Sequence, residues 1–191
     1  MSRDKEGLIL WVTGLSDAGK TTLCDAARTI LQRNSIPCIV LDGDQIRGIF
    51  DDLQGYDLDT RRVLALRVAK LAKELSSQGY VVLVGIIGLI KEVHEWNLEH
   101  QRNFFLTLLN IPVEELKKRD SKRLYKNFEL GSVSSMYGLD LPAHFPPVVD
   151  LEFTMMNIGD PNSTAEIMLR QASRRFRDIT ILERFRTGEI D

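Results

Sequence analysis

Five short runs of Val, Ile, Leu and Phe are spaced along the chain, at Leu8–Thr13, Ile36–Leu41, Tyr80–Ile86, Asn103–Leu109 and Leu151–Thr154. The first four are apolar at successive positions rather than at every second one. Strands of a parallel sheet covered by helices on both faces read this way. The longer segments between them carry apolar residues at helical spacing. Thr60–Gln78 is the clearest, with Val63, Leu64, Leu66, Val68, Leu71, Ala72 and Leu75 on its apolar positions. Thr21–Asn34, Lys91–His100 and Val113–Lys118 predict further helices, the last opened by Pro112. A final helix is predicted from Ser163, where Ser163-Thr164-Ala165-Glu166 has capping-box spacing, and it carries Ile167, Leu169, Phe176 and Ile179. The alternation predicts an α/β fold: one three-layer domain over residues 1–191, with a parallel sheet of about five strands and helices on both faces.

One stretch breaks the rhythm. Residues 120–148 hold Gly131, Gly138, Pro142, Pro146 and Pro147 and no long apolar period. A connection of this length inside one domain is usually functional, so residues 119–148 are expected to form a lid. With 43% hydrophobic and 27% charged residues in a length of 191, the composition is globular. A net charge of -2 argues against a nucleic-acid partner, which needs a basic surface. No apolar stretch approaches the roughly 20 residues that span a bilayer. The polar start, MSRDKEG, leads directly into the first predicted strand, so no signal peptide is expected. A cytoplasmic protein with no membrane partner is the expectation. Cys24 and Cys38 lie in apolar settings without metal-ligand spacing and read as buried thiols.

The chemistry begins where the first run ends. Gly14-Leu15-Ser16-Asp17-Ala18-Gly19-Lys20-Thr21 fits G-x-x-x-x-G-K-[ST] and is followed by Thr22. Glycines let the backbone curl so that successive N–H groups face phosphate oxygens. Lys20 reaches the β- and γ-phosphates, the Thr21 hydroxyl can ligate Mg²⁺, and the next helix adds its positive end. The motif between a strand and a helix predicts a P-loop NTPase fold that binds ATP. Asp17 is out of character beside a triphosphate. At about 8 Å in water-like dielectric one unit pair costs only ~0.5 kcal/mol, which a solvent-facing carboxylate tolerates.

The second strand ends in Val40-Leu41-Asp42-Gly43-Asp44-Gln45-Ile46-Arg47. Ligands of parallel α/β sheets bind at the carboxyl ends of strands. Asp42 and Asp44 are therefore placed to face the nucleotide, where one can orient Mg²⁺ or accept the proton of an attacking hydroxyl. Arg47 could clamp an anionic acceptor. Asp44 could also cap a helix, and the two roles are compatible.

With these motifs and Arg119-Asp120-Ser121-Lys122-Arg123-Leu124-Tyr125-Lys126, the chain resembles the adenylyl-sulfate kinase family. Members read G-L-S-G-A-G-K-T-T, L-D-G-D-x-x-R and R-D-x-K-G-L-Y-K, then a lid ending in N-F-x-G-I-D-x-P-Y-E-x-P. The likeness runs over about residues 8–154, matching Gly14–Thr22, Leu41–Arg47, Arg119–Lys126 and Ser135–Pro146. It implies transfer of the ATP γ-phosphate, with Mg²⁺, to the ribose 3′-hydroxyl of a small-molecule nucleotide. Adenylyl sulfate giving 3′-phosphoadenylyl sulfate is the first expectation for the acceptor. It also implies a homodimer. Carried over by residue, Asp44, Lys20 and Lys126 would be catalytic, and Thr21 and Asp44 would meet the metal. Gly14, Ser16, Asp17, Ala18, Gly19, Lys20, Thr21, Thr22, Arg119 and Lys122 would hold ATP. Asp42, Asp44, Arg47, Tyr56, Arg61, Lys126 and Met136 would hold the acceptor.

The departures from the family pattern fall on the acceptor side. Tyr56 replaces the aromatic of G-F-S. Thr60 and Leu64 stand where an acid and an asparagine are usual. Ile87-Gly88-Leu89-Ile90-Lys91 replaces I-S-P-Y-R, and Ser135-Met136 replaces N-F, so a thioether stands in for a stacking ring. A site built around a hydrogen bond discriminates strongly by it, so a different nucleotide is a second expectation. Glu92-Val93-His94-Glu95-Trp96-Asn97 is similar to relatives found with capsule or surface-sugar pathways, one of whose activities phosphorylates cytidine diphosphoramidate. No N-K-x-D guanine motif occurs, which sets a GTP switch aside. An ATP-binding regulator without transfer activity stays open. His94 and His100 read as solvated or capping residues, Trp96 as helix packing, and Tyr125 as either lid packing or a substrate contact.

Overall fold

The computed structural model describes residues 7–53, 55–179, 182–183 and 185. Five strands form, β1 Leu8–Gly14, β2 Cys38–Asp42, β3 Val81–Gly85, β4 Phe104–Leu109 and β5 Leu151–Phe153. All pair in parallel, in the order β2-β3-β1-β4-β5. β1 is central: Leu10 sits between Leu83 and Phe105, and Val12 between Gly85 and Thr107. Every residue of β1, β3 and β4 is buried. Their side chains meet helices on either face instead of water, which is why the runs are apolar without alternation.

The helices are α1 Lys20–Arg33, α2 Gly43–Ile49, α3 Leu58–Ser77, α4 Lys91–His100, α5 Val113–Arg119, α6 Leu124–Glu129 and α7 Pro161–Arg175. α1 packs on α7 and α3 packs on α4, so two helix layers enclose the sheet. Trp11, Phe105 and Phe153 are among the largest side chains with less than 2% of their surface exposed or close to it, and burying each stabilises the fold by about 1.5–3 kcal/mol. No described helix is long and apolar enough to cross a membrane. Cys24 is buried, which pushes its thiol up to about 12, whereas Cys38 is half-buried; both are free.

Several boundaries differ from the sequence expectation for identifiable reasons. β2 starts at Cys38 rather than Ile36, because Pro37 has no N–H for the ladder, although its carbonyl accepts from the N–H of Val81. α7 starts earlier than Ser163. Asp160 is its N-cap, accepting from the N–H groups of Asn162 (3.0 Å) and Ser163 (3.1 Å), and Pro161 fills the first turn. Ser163 therefore lies inside that turn and donates its hydroxyl to Asp160 instead of capping the helix. Phe176 is the C-cap, and the buried Ile179 follows the helix.

Residues 120–148 are more ordered than their composition suggests. Asp120 accepts from the N–H groups of Tyr125 and Lys126, both at 3.0 Å, which caps the start of α6. Asp140 accepts from the N–H groups of Ser135 (2.7 Å) and Met136 (2.6 Å), closing a tight turn.

At the end of β1, Gly14 has φ 150°, and a Cβ there would lie 2.6 Å from the Leu109 carbonyl oxygen. Both strands are pinned by their ladder, so neither can give way. Gly14→Ala is expected to destabilise the fold by about 2–3 kcal/mol and to lower the thermal midpoint by roughly 5–10 °C, read from a circular-dichroism melt.

Candidate active site

The loop after β1 carries two left-handed residues, Asp17 (φ 59°) and Gly19 (φ 99°), which turn the backbone back on itself before α1 begins at Lys20. Aspartate is among the few side chains that enter this region readily. Lys20 Nζ donates to the Leu15 carbonyl at 2.6 Å. Burial lowers its pKa from 10.5 to about 8, against the opposing pull of Asp44, Asp17 and Asp42 and with the push of Lys122. A polyphosphate beside this ammonium restores its preference for the charged form. Below about pH 8 the group is already protonated, whereas above it binding must first supply the proton. ATP affinity is therefore expected to fall as pH rises through 8, by up to about tenfold per pH unit. Calorimetry in two buffers of different ionisation enthalpy would report proton uptake on that limb.

β2 delivers both acids to the same end of the sheet, with different partners. Asp42, 7% exposed, is the N-cap of α2, its Oδ1 accepting from the N–H groups of Asp44 (3.0 Å) and Gln45 (3.3 Å). Its Oδ2 accepts from the Thr21 hydroxyl at 2.7 Å. The capping role considered for Asp44 thus belongs to Asp42. Asp44 Oδ2 instead accepts from Lys122 Nζ at 2.5 Å, an exposed ion pair that keeps the lysine charged. Of the four residues, Thr21 and Asp42 supply paired hard-oxygen donors, a chemistry that suits Mg²⁺ alongside phosphate oxygens.

Two clefts flank these groups. The first lies between the phosphate loop and the β5–α7 connection, and Ala18, Gly19, Thr22, Arg119, Ile158 and Pro161 are among its lining residues. The sequence reading named Ala18, Gly19, Thr22 and Arg119 but missed Ile158, Gly159, Pro161 and Thr164. The rule that ligands gather at strand carboxyl ends, applied to β5 as it was to β2, would have found them. The second cleft is lined by Asp44, Arg47, Tyr56 and Arg61 together with Leu64, Ile86, Ile87, Ile90 and Tyr137. Four expected acceptor residues therefore converge. Asp42, Lys126 and Met136 are not among its lining residues: Asp42 faces Thr21, Lys126 is exposed on α6, and Met136 is buried.

The two arginines do not merely face the cleft. Arg47, 8% exposed, donates to the carbonyls of Leu53 (2.8 Å) and Gly55 (2.5 Å). Arg61 donates to the carbonyls of Tyr56 (2.6 Å) and Ser135 (2.8 Å). Both guanidinium groups lie over the Tyr56 ring, at 4.6 and 5.3 Å from its centroid. Burial lowers the pKa of Arg61, with Tyr137 the largest opposing influence.

Two side-chain hydrogen bonds tie the segment after α5 to the phosphate loop. Ser121 donates to Asp17 Oδ1 at 2.6 Å, and the buried Tyr125 donates its hydroxyl to the Ser16 carbonyl at 3.0 Å. Tyr125 thus packs α6 against the phosphate loop, and Asp17 is bonded to Ser121 as well as being a loop residue. His94 is 6% exposed rather than solvated, with Nε2 3.0 Å from the His144 carbonyl, and burial lowers its pKa. Trp96 stacks on His100, ring centroids 4.7 Å apart, consistent with a packing role on α4.

The chain is similar to known proteins in sequence and in fold. The family model described as adenylylsulphate kinase matches residues 6–154. Cytidine diphosphoramidate kinase of Campylobacter jejuni is 34% identical over 133 residues, covering 70% of this chain and 78% of the relative. Adenylyl-sulfate kinase of Buchnera aphidicola is 31% identical over 149 residues, covering 76% and 72%. The structure of the Mycobacterium tuberculosis APS kinase in complex with AMPPNP and APS superposes with a TM-score of 0.80 at 26% identity, over 87% of this chain and 97% of that one. A parallel sheet with a phosphate loop at its central strand, matched over most of its length by kinases of hydroxyl acceptors, makes this chain a phosphotransferase that belongs to the adenylylsulphate kinase family.

Proposed function

We propose that the chain transfers the γ-phosphate of ATP to the ribose 3′-hydroxyl of a nucleotide. The observation that carries this reading is the meeting of donor and acceptor groups: Asp42 accepts from the Thr21 hydroxyl of the phosphate loop at 2.7 Å and from the N–H of Asp44, which lines the second cleft, at 3.0 Å. The first cleft takes the adenine and ribose of ATP, and the loop N–H groups and Lys20 hold its phosphates. Thr21 and Asp42 would hold Mg²⁺, which supplies neutralisation of the β- and γ-phosphate charge.

The second cleft takes the acceptor nucleotide. Asp44 orients the 3′-hydroxyl and receives its proton as the oxygen attacks the γ-phosphorus. The bond from that phosphorus to the bridging β–γ oxygen breaks, and ADP leaves. Lys122, at Asp44 in this structure, and Arg119, beside the first cleft, belong to the segment that closes over the reacting groups. Lys126 stands exposed on the same segment, and we assign it to the closed form. Excluding water is the reason for such a segment, because a loose site would spend ATP on hydrolysis.

For the acceptor we propose adenylyl sulfate first, giving 3′-phosphoadenylyl sulfate. Cytidine diphosphoramidate is the second reading, favoured by the apolar Leu64 in the cleft wall and by the Campylobacter jejuni relative. Incubation with γ-labelled ATP and each acceptor in turn tests both. Label in the 3′-phosphate of either nucleotide supports the reading. ATP binding without transfer to any nucleotide offered would overturn it in favour of a regulator.

A further inference from the structure

Tyr137 is 4% exposed and lines the second cleft. Its hydroxyl is shielded from solvent and has no hydrogen-bond partner among the described residues. A buried phenol without a partner forfeits about 1–3 kcal/mol, so such groups call for an explanation. Loose packing is not the explanation here. The turn that carries Tyr137 is held on all sides: Asp140 accepts from the N–H groups of Ser135 and Met136. The Leu141 N–H donates to the Met136 carbonyl at 3.0 Å, and the Gly138 N–H donates to the Leu141 carbonyl at 3.0 Å. Gly138, at φ 80°, sits so close to Leu15 that a Cβ would lie 3.2 Å from its methyl carbon, which locks the turn against the phosphate loop. The Arg61 guanidinium lies over the Tyr137 ring at 5.1 Å and bonds the Ser135 carbonyl of the same turn. The ring is therefore held at the cleft wall at little further loss of freedom, which is how recognition groups are built.

We propose that Tyr137 is a specificity-determining residue whose hydroxyl, uncovered as the acceptor nucleotide enters the cleft, hydrogen-bonds the edge of its base. This rests on the reading of the second cleft as the acceptor site. Its chemistry suits a base better than a phosphate chain. Burial raises the phenol's pKa, so it stays neutral and protonated and can donate to a ring nitrogen or carbonyl oxygen or accept from an exocyclic amine. Its neighbours in the wall, Leu64, Ile86, Ile87 and Ile90, are the apolar surfaces a base plane packs on.

Tyr137→Phe keeps the ring and deletes the hydroxyl. With ADP, CDP, UDP and GDP as probes of equilibrium binding, measured with the phosphate-loop site filled by a non-hydrolysable ATP analogue, wild type is expected to prefer one base. Tyr137→Phe is expected to shrink that preference by about 10- to 100-fold while leaving the ATP KM unchanged and the melting midpoint level or higher. The same collapse of preference should appear in kcat/KM for transfer. Unaltered base preference in Tyr137→Phe overturns the proposal, as does a change that follows chain length, CMP against CDP, instead of the base. Base-selective binding that depends on Tyr137 without phosphate transfer supports this inference and overturns the proposed reaction. Transfer with a selectivity indifferent to Tyr137 does the reverse.

Discussion

Lys20→Ala is expected to lower kcat by on the order of 10³-fold and to leave the fold as stable as before. The first half follows from charge: the γ-phosphoryl group passes to its acceptor with negative charge spread over three oxygens, and a positioned ammonium stabilises that spread more than it stabilises bound ATP. The second half follows from burial. In the ligand-free chain the ammonium is desolvated and held by the Leu15 carbonyl, which lowers its pKa to about 8. A group kept charged against its surroundings does not hold the structure together, so its removal leaves the melting midpoint level or higher. Steady-state kinetics and a melting curve on the same preparation separate the two effects. Turnover within tenfold of wild type would mean that the phosphates are gripped elsewhere.

The second large effect is expected at Asp44. Asp44→Asn should reduce kcat by about 10²–10⁴-fold, with the ATP KM changed only a few-fold. Asparagine keeps the size and can still hydrogen-bond a hydroxyl, but it cannot receive the proton, so the loss should fall on kcat. The ion pair between Asp44 and Lys122 is also broken. Both partners are well exposed, 70% and 57%, so stability should hardly respond. Single-turnover measurements with saturating acceptor isolate the chemical step. A variant whose loss lay wholly in acceptor KM would recast Asp44 as a binding group.

Much of this was visible in the chain itself, for physical reasons. The three central strands are apolar at successive positions because helices cover them on both faces, the pattern of a parallel sheet between two helix layers. The phosphate loop is legible because each of its positions answers to one geometric demand: curl, charge or hydroxyl. What stayed hidden depends on where side chains turn after their backbone is set. Asp42 and Asp44 are two residues apart, and sequence spacing alone could not say that one would turn to Thr21 and the other to Lys122. His94 reads as solvated or capping on a charged helix, yet it is buried, with the His144 carbonyl of a distant segment 3.0 Å from its Nε2. Tyr137 carried no local signal, since its meaning comes from a hydroxyl left without a partner. The N-cap of α7 was misjudged because two candidate signals compete there. Asp160 followed by a proline at the first position outranks a serine two residues further on.

Arg47 and Arg61 fasten the walls of the second cleft through carbonyl oxygens of Leu53, Gly55, Tyr56 and Ser135. A carbonyl is the same atom whatever side chain its residue bears. Those carbonyl bonds therefore survive a change of side chain, although Tyr56 also offers its ring to both guanidinium groups and Gly55 has no room for a Cβ. Such a chassis lets a lineage try one nucleotide after another on an unchanged phosphate-donating engine.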